Sequence, residues 1–391
     1  MLAGLIFATE DAEDRPDSLA ATLPFGGSTL IEYQARLLAA VGVTHLLVAV
    51  SRVTPALLGA TSRIGAKGVT IDIVRSAQEA AAQAHPLAHV LVLADGLVTT
   101  DAVIEWVAAE GHEALLVTRD GDGTPGVERV DASHFWAGLA RVPASRLADV
   151  AAMPADYDFQ STLLRHSAQA GAHQLLLPAG AARTRHGVER SAAALQRRSQ
   201  AVLAALGDRR TAWVDRYLFT PVTGWLLPRL VARGIPSVAL VAITAILAIA
   251  GVAVAARWPA WAGLALVLLA LAGFATGTML SWLRGEDRLA RGQETAGMAA
   301  AALVVLAVGG AAWFATGDRG GPVLAIVLVG LAALAERVPG ERRRWSGTPA
   351  AYPLLLLPFA AAGWAVAGLA ATALYAFVTL AAAIESSREK P

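Results

Sequence analysis

Apolar positions follow two different patterns along the chain, and the change between them falls near residue 233. Before it, short apolar runs alternate with segments of helical spacing, which predicts strands separated by helices and a mostly parallel α/β sheet. The first helix is predicted over 30–41, with Ser28 or Thr29 as its cap. The predicted strands are residues 2–9, 44–51, 69–75, 89–94 and 113–118, and further helices are predicted over 100–109, 159–170 and 191–206.

After residue 233 the apolar runs are long enough to cross a bilayer, for which a helix needs about 20 residues. Residues 350–384 are too long for one span, and they contain Pro353, Pro358, Gly363 and Gly368. They are interpreted as two short spans with a tight turn at 363–368. The prediction is an all-α membrane domain of six spans, of which the first four are residues 235–256, 258–283, 295–316 and 322–335.

Composition and charge support a membrane protein, because 55% of the residues are apolar and only 16% are charged. With six spans, Arg257 and Arg319 fall on one side of the bilayer and most basic residues fall on the other. Since basic loops stay in the cytoplasm, both termini and the α/β domain are predicted to be cytoplasmic in a bacterial-type inner (plasma) membrane. The basic residues on that side are Arg229, Arg233, Arg284, Arg288, Arg291, Arg337, Arg342, Arg343, Arg344, Arg388 and Lys390.

A basic junction, predicted as residues 183–233, separates an α/β domain over 1–182 from a membrane domain over 234–391. Its last part, residues 213–233, mixes aromatic residues, leucines and arginines, which is typical of an amphipathic helix in the membrane interface. Arg216, Arg229 and Arg233 are therefore predicted to contact anionic lipid. The alternative is an ordinary solvated arginine face. Nucleic acid is not a predicted partner, because residues 1–233 hold 21 basic and 23 acidic residues.

Asp95 is the first candidate for chemistry, because it follows the predicted strand 89–94. In open α/β sheets, ligands bind beyond the carboxyl ends of the strands. A carboxylate there can hold a magnesium–nucleotide complex, although Asp95-Gly96 also suits a simple turn. The chain has no cysteine, which excludes thiolate metal sites and cysteine nucleophiles.

The first strand, the loop after it, residues 23–34 and residues 90–95 together resemble the sugar-1-phosphate nucleotidyltransferase family. The resemblance implies a nucleotidyltransferase-like (Rossmann-like) domain with a glycine-rich phosphate loop, a lysine just before residue 23 and a magnesium ligand at Asp95. The loop here is Thr9-Glu-Asp-Ala-Glu-Asp14, which has four acids and no glycine, and Thr22 stands in the region of the lysine. Acidic side chains repel a triphosphate, so Asp95 alone is carried over as a nucleotide-binding candidate.

A charged island, residues 281–294, lies between two long apolar runs and holds three arginines and three carboxylates. An ionisable cluster beside membrane spans is a candidate site. With a juxtamembrane helix and a Gly-Ile-Pro start to the first span, its position resembles the CDP-alcohol phosphatidyltransferase family. That family carries the motif D-x2-D-G-x2-A-R-x8-G-x3-D-x3-D, whose aspartates hold two metal ions and supply a base. The combination of both halves resembles the bifunctional inositol-phosphate cytidylyltransferase–phosphatidyl-inositol-phosphate synthase enzymes.

The motif is incomplete here when Ala290-Arg291 is aligned on its A-R pair. Glu286 then falls on the second aspartate, Asp287 falls on the glycine, and Leu283 falls on the first aspartate. Two-metal chemistry needs several converging carboxylates, whereas Glu286 and Asp287, with Glu294, are candidates for a single cation. Ala300, Val304 and Val308 stand where the motif requires G, D and D. The alternative is a solvated helix end with local ion pairs.

The leading hypothesis is a non-catalytic binding, scaffolding or regulatory protein of polar-lipid metabolism. One alternative is an active, divergent transferase that uses Glu286, Asp287, Arg291 and Asp95 with Mg²⁺ or Mn²⁺. A second alternative is a transporter accessory subunit. The predicted partners are anionic membrane lipids, a nucleotide or CDP-alcohol, and a second copy of the chain packed through Gly- and Ala-rich spans.

Overall fold

The computed structural model describes residues 1–119, 128–154, 156–178, 185–208, 213–233, 235–257, 259–317, 319–338 and 345–388. Contacts within the chain divide it into two compact units, Met1–Leu203 and Ala204–Pro391. This division falls inside the predicted junction, whose own limits stay a prediction. Among the predicted features, Gly234 and the basic residues Arg342, Arg343, Arg344 and Lys390 lie outside the described residues.

The first unit contains a seven-stranded mixed sheet. The strands are β1 Leu2–Ala8, β2 His45–Val50, β3 Thr70–Val74, β4 His89–Leu93, β5 Ala114–Arg119, β6 His134–Pro143 and β7 His173–Leu176. Their order across the sheet is β7-β5-β6-β4-β1-β2-β3. All pairings that join β1, β2, β3 and β4 are parallel, and β6 runs antiparallel to both of its neighbours. The prediction of a mostly parallel α/β sheet is therefore confirmed, and β6 and β7 are the strands of this sheet that it missed.

Two groups of helices pack around this sheet. The helices are α1 Leu30–Ala40, α2 Pro55–Gly65, α3 Ala77–Gln83, α4 Asp101–Ala109, α5 Ala144–Ala151 and α6 Phe159–Gln169. Helix α1 contacts α2 and α4, whereas α5 contacts α3 and α6. Residues 3–8 of β1 are all buried, as expected for a strand covered on both faces. At Gly4 an added Cβ would lie 2.8 Å from Leu38 Cδ1, so a larger residue there would require the Leu38 side chain of α1 to shift.

The connections of the sheet change direction between β1 and β4. The chain leaves β1 for β2 and then β3 on one side, and it returns to β4 on the other side of β1. At such a switch point the loops that follow the two strands separate and leave a crevice where ligands bind. The loop after β1 and Asp95 after β4 lie at this point.

The second unit is helical. Helix α7 (Ala192–Asp208) begins in the first unit, and a π-helical turn at Asp215–Phe219 leads into α8. The following helices are α8 Thr220–Ala232, α9 Ser237–Ala255, α10 Ala260–Leu283, α11 Asp287–Thr316, α12 Gly320–Arg337, α13 Ala351–Ala361 and α14 Ala365–Arg388. Five of them, α9 to α12 and α14, contain segments long and apolar enough to cross a membrane.

The prediction of six spans is wrong, because α13 has only 11 residues. At 1.5 Å per residue it is about 16 Å long, roughly half of the ~30 Å hydrocarbon core. Pro358 inside α13 lacks an amide hydrogen for the helix, and Gly363 closes the turn with φ +82°. The turn was therefore predicted in the correct region, but the segment before it is too short to cross. Without a sixth span, the inference that both termini share one side loses its basis.

Glycine allows α9 and α10 to pack with their backbones in contact. A Cβ added at Gly263 would collide with the backbone of Ala255 and Gly251, and one added at Gly251 would lie 2.9 Å from the backbone nitrogen of Val267. Lipid provides no hydrophobic drive for the association of membrane helices, which relies on close packing instead. Small residues at a crossing allow that packing.

We expect Gly263→Ala to destabilise the helical unit, because α9 and α10 must separate to admit the methyl group. Overpacking of this kind costs about 1–3 kcal/mol, which thermal unfolding of the full chain in detergent would show as a lower midpoint. Gly330→Ala is the matched control, since Gly330 is an exposed helical glycine whose added Cβ meets nothing within 4 Å. Equal midpoints for the two variants would contradict the close-packing interpretation.

Candidate functional site

The charged island forms the turn between α10 and α11. Helix α10 ends at Leu283, Gly285 adopts φ +68°, and Glu286 precedes the first residue of α11. Because α11 begins at Asp287 and not at the predicted residue 295, part of the island is helical. Asp287, Arg291 and Glu294 then follow a spacing of four and three residues, which puts them on one face of the helix.

These three charged residues line a cavity of about 450 Å³ at the α10–α11 turn. All three are exposed at the surface. The Nε of Arg291 donates to the carbonyl oxygen of Asp287 at 3.4 Å, so this contact leaves the Asp287 carboxylate available. The remaining wall is less polar, and its lining residues are Thr278, Met279, Trp282 and Ala290. The structure thus brings two of the predicted site residues, Asp287 and Arg291, together with Glu294.

Glu286 does not line this cavity, although it was predicted beside Asp287. Its Oε2 is buried, and among the described residues it has no hydrogen-bond partner. The neighbouring Arg284 turns toward the start of α9, where its Nη1 donates to the carbonyl oxygen of Ile235 (2.9 Å) and to Ser237 Oγ (3.0 Å). The two acids that were expected to share a cation therefore face different surroundings.

Metal binding by this region stays a prediction. Within the described part of the chain, no group of three His, Asp or Glu residues could hold a metal ion. The positions where the resemblance requires two aspartates carry Val304 and Val308, and both are fully buried in the helical core. Apolar side chains thus fill the part of α11 where two-metal chemistry would need carboxylates.

Gln293 is a site-forming residue that sequence reasoning missed. It is 1% exposed, and its Nε2 donates to Ser281 Oγ at 2.8 Å across the α10–α11 pair. Its Oε1 lies against Gly277, where an added Cβ would collide with it. An uncharged polar residue opposite small residues at the end of two spans was the available signal. This contact joins the two helices that form the cavity.

The three arginines predicted to contact lipid lie in different surroundings. Arg216, in the π-helical turn, is exposed and lines a second cavity. Arg229 lies over the ring of Trp225, with its Cζ 4.1 Å from the ring centroid, and Arg233 is exposed just after α8. Along α8, Leu227 and Leu230 are buried while Trp225 and Arg229 are exposed, which is the two-faced pattern predicted for this helix. Lipid contact itself stays a prediction.

Asp95 lies at the switch point of the sheet but is covered by the chain. Asp95 is 2% exposed, and its Oδ2 accepts hydrogen bonds from the backbone amides of Thr9 and Glu10, both at 2.7 Å. The Glu189 amide donates to the Gly96 carbonyl, and strand Gly187–Val188 pairs with Leu97–Val98. A nucleotide that reaches Asp95 would therefore have to displace the segment 187–190.

Burial also controls the protonation of two groups near this point. It raises the pKa of Asp95 to about 7, against the opposing effects of the Glu10 and Thr9 amides and the charge of Arg190. Burial lowers the pKa of His186 to about 4. His186, which sequence reasoning missed, contacts Thr99 Oγ1 at 2.8 Å and donates from Nε2 to the Ala137 carbonyl oxygen, which places it beneath the covering segment.

Comparison with protein-family models finds no match for the chain, and comparison with curated proteins finds none either. The chain is a multi-pass membrane protein with an α/β domain. Its α/β domain holds a mixed sheet whose switch point is covered by the chain, and the described part of its helical region holds five candidate spans, with an open, charged cavity at the turn between the second and third. The family resemblances noted from the sequence remain hypotheses.

We expect Asp95 to make stability depend on pH. The native carboxyl keeps its proton up to about pH 7, whereas the unfolded one releases it near its ordinary pKa of about 4. Stability should therefore fall as the pH rises through this window and level off above it. The thermal midpoint of Asp95→Asn minus that of the native chain should grow between pH 5 and 8. Asp17→Asn, at an exposed position, controls for charge alone, and a constant Asp95→Asn difference would contradict the assignment.

Proposed function

We propose that the protein is a non-catalytic component of polar-lipid metabolism that binds a zwitterionic phospholipid headgroup in the island cavity. The observation that carries the proposal is the convergence of Asp287, Arg291 and Glu294 on one open cavity beside a membrane span. Its size of about 450 Å³ falls in the ~300–1,000 Å³ range of small-molecule sites.

The charges of the cavity suit a headgroup that carries both a phosphate and an amine. The guanidinium of Arg291 can donate two parallel hydrogen bonds to a phosphate. The carboxylates of Asp287 and Glu294 can accept from an ammonium group, and the aromatic face of Trp282 favours a cation as well. Met279 and Ala290 provide apolar surface for the glycerol end of the lipid. A purely anionic headgroup would meet two carboxylates and one arginine, so we expect it to bind more weakly.

The non-catalytic part of the proposal rests on the surroundings of the motif positions. Val304 and Val308 are buried where the resemblance requires carboxylates, and Glu286 faces away from the cavity. In the α/β domain, Asp95 is covered by the chain. An architecture related to the bifunctional cytidylyltransferase–phosphatidyltransferases, with both sites altered, accounts for these features together. The alternative function is a divergent transferase, which the residues of the cavity favour less because they offer two carboxylates and no buried base.

We also propose that the island and the α/β domain face the cytoplasm. Counted along the five candidate spans, Arg284, Arg288 and Arg291 fall on the same side as the junction arginines, while Arg257 and Arg319 fall on the opposite side. The excess of arginine on one side follows the positive-inside rule. This assignment does not depend on α13.

The binding proposal predicts that dihexanoyl phosphatidylethanolamine stabilises the purified full chain and that Arg291→Gln weakens its binding about tenfold or more, as loss of a hydrogen bond to a charged group implies. Asp287→Asn should weaken it as well. Arg288→Gln is the matched control, since Arg288 is an exposed arginine of the same helix that does not line the cavity. Titration calorimetry or thermal shift measures each affinity.

Two outcomes would contradict this proposal. If Arg288→Gln weakens binding as much as Arg291→Gln, or if dihexanoyl phosphatidylglycerol displaces the bound phosphatidylethanolamine as well as phosphatidylethanolamine itself does, the island cavity does not distinguish the headgroups. With Mg²⁺ or Mn²⁺, CTP or a CDP-alcohol, and polyol phosphates, the same preparation should release neither pyrophosphate nor CMP. Turnover that Glu286→Gln or Asp287→Asn abolishes would establish the transferase in its place.

The orientation can be tested directly because the native chain has no cysteine. In right-side-out membrane vesicles, an impermeant maleimide should label Arg319→Cys at once and Arg288→Cys only after permeabilisation. Both positions are exposed and lie near opposite ends of α11. Labelling of Arg288→Cys in sealed vesicles would reverse the proposed orientation.

A further inference from the structure

A second cavity of the helical unit lies between the π-helical turn and the α13–α14 hairpin. It has a volume of about 600 Å³ and is separate from the island cavity. Its lining is mostly aromatic and aliphatic, with Arg216 as the charged residue among the lining residues. The lining residues are Trp213, Arg216, Tyr217, Trp345, Leu355, Phe359, Ala371, Thr372 and Tyr375.

The aromatic part of this cavity is held in place by a chain of hydrogen bonds. Trp213 Nε1 donates to the Tyr375 hydroxyl at 2.9 Å, and that hydroxyl donates to the Trp345 carbonyl oxygen at 2.6 Å. Trp and Tyr with bonded polar ends and apolar bodies are typical of the membrane–water interface. The rim of the cavity is therefore preformed and suited to the depth of lipid headgroups.

Arg216 provides the charge at this rim. It is exposed, and within the described part of the chain its side chain has neither an ion pair nor a hydrogen bond. An arginine next to aromatic residues at this depth attracts the phosphate of an anionic lipid. Among the described residues that line this cavity there is no carboxylate, in contrast to the island, so an anionic group meets none of the opposing charge found in the island cavity.

The deeper part of the cavity is apolar and lies beside a helix that is too short to cross. Leu355 and Phe359 belong to α13, and Ala371 belongs to α14. Because α13 is about 16 Å long, it covers roughly half of the hydrocarbon depth beside α14. In a bilayer, acyl chains of lipid fill the part of the hydrocarbon core that a short helix leaves open beside α14.

We propose that this cavity binds one anionic phospholipid, with its phosphate on Arg216 and one acyl chain between α13 and α14. Aromatic side chains at the rim enclose the glycerol region, and the acyl chain exchanges contacts with other lipid or detergent chains for packing against α13 and α14. This site does not depend on the function proposed for the island, which takes a zwitterionic headgroup on different residues.

Native mass spectrometry of the full chain in detergent, titrated with a phosphatidylglycerol or a phosphatidylcholine of the same chains, tests this proposal. Arg216→Gln should reduce the affinity for phosphatidylglycerol about tenfold or more and change the affinity for phosphatidylcholine much less, because the island cavity takes zwitterionic headgroups on other residues. Ala371→Phe should also reduce it, because the ring occupies the space of the acyl chain while the charge is unchanged. Arg288→Gln is the matched control, since Arg288 is an exposed arginine of the helical unit that does not line the cavity.

The outcomes separate a bound lipid from simpler explanations. Equal losses for Arg288→Gln and Arg216→Gln, or loss of all binding at about 0.5 M salt, would indicate diffuse attraction to a basic surface and overturn the site. Binding that Ala371→Phe leaves unchanged, or that inorganic phosphate displaces fully, would overturn the seating of an acyl chain. Unchanged phosphatidylethanolamine binding by Arg216→Gln would show that the island site is intact, so failure here and failure of the island proposal are distinguishable.

Discussion

The hydrogen bonds that Arg284 donates to the start of α9 are the interaction on which the arrangement of the first spans depends. Arg284 follows α10, and its guanidinium donates hydrogen bonds to the Ile235 carbonyl oxygen, just before α9, and to the hydroxyl of Ser237, the first residue of α9. Near hydrocarbon, backbone groups at a helix end must find partners within the protein, because no water replaces them. The Gln293–Ser281 hydrogen bond joins α11 to the same end of α10. With these ends tied and glycine permitting close approach of α9 and α10, the mouth of the island cavity is fixed.

The candidate site of the α/β domain is buried, whereas that of the helical unit is exposed. In the α/β domain, the carboxyl ends of β1 and β4 are covered by the chain, and Asp95 uses its Oδ2 on the backbone amides of the adjoining loop. In the helical unit, Asp287, Arg291 and Glu294 remain exposed around a cavity. A group that is to bind a ligand from outside must be accessible and have unused hydrogen-bonding capacity. On this physical ground the island, and not the switch point, carries the proposed function.

The sequence was most informative where one physical signal dominates. Strands β1 to β5 and helices α1, α4 and α6 follow directly from apolar periodicity, and the long apolar runs predict four of the five candidate spans. Strand β6 was missed because Gly138 and Arg141 interrupt its apolar run, and β7 was missed because only one of its four residues is buried. The length of α13 depends on the exact position of a turn, and so do the different surroundings of the Glu286 and Asp287 side chains. Composition does not specify these positions. Gln293 and His186 acquire their roles only from partners across the fold.

The length of α11 has a consequence for the membrane around the protein. Its 30 residues extend about 45 Å, roughly half as far again as the hydrocarbon core is thick. The helix therefore extends beyond the acyl chains, and the carboxylates of its first turns lie outside the hydrocarbon core. A thicker bilayer would draw these groups toward hydrocarbon and remove their water, and a thinner one would lift them clear of the headgroups. We therefore expect access to the island cavity to change with local bilayer thickness, and so with the lipid composition that sets it.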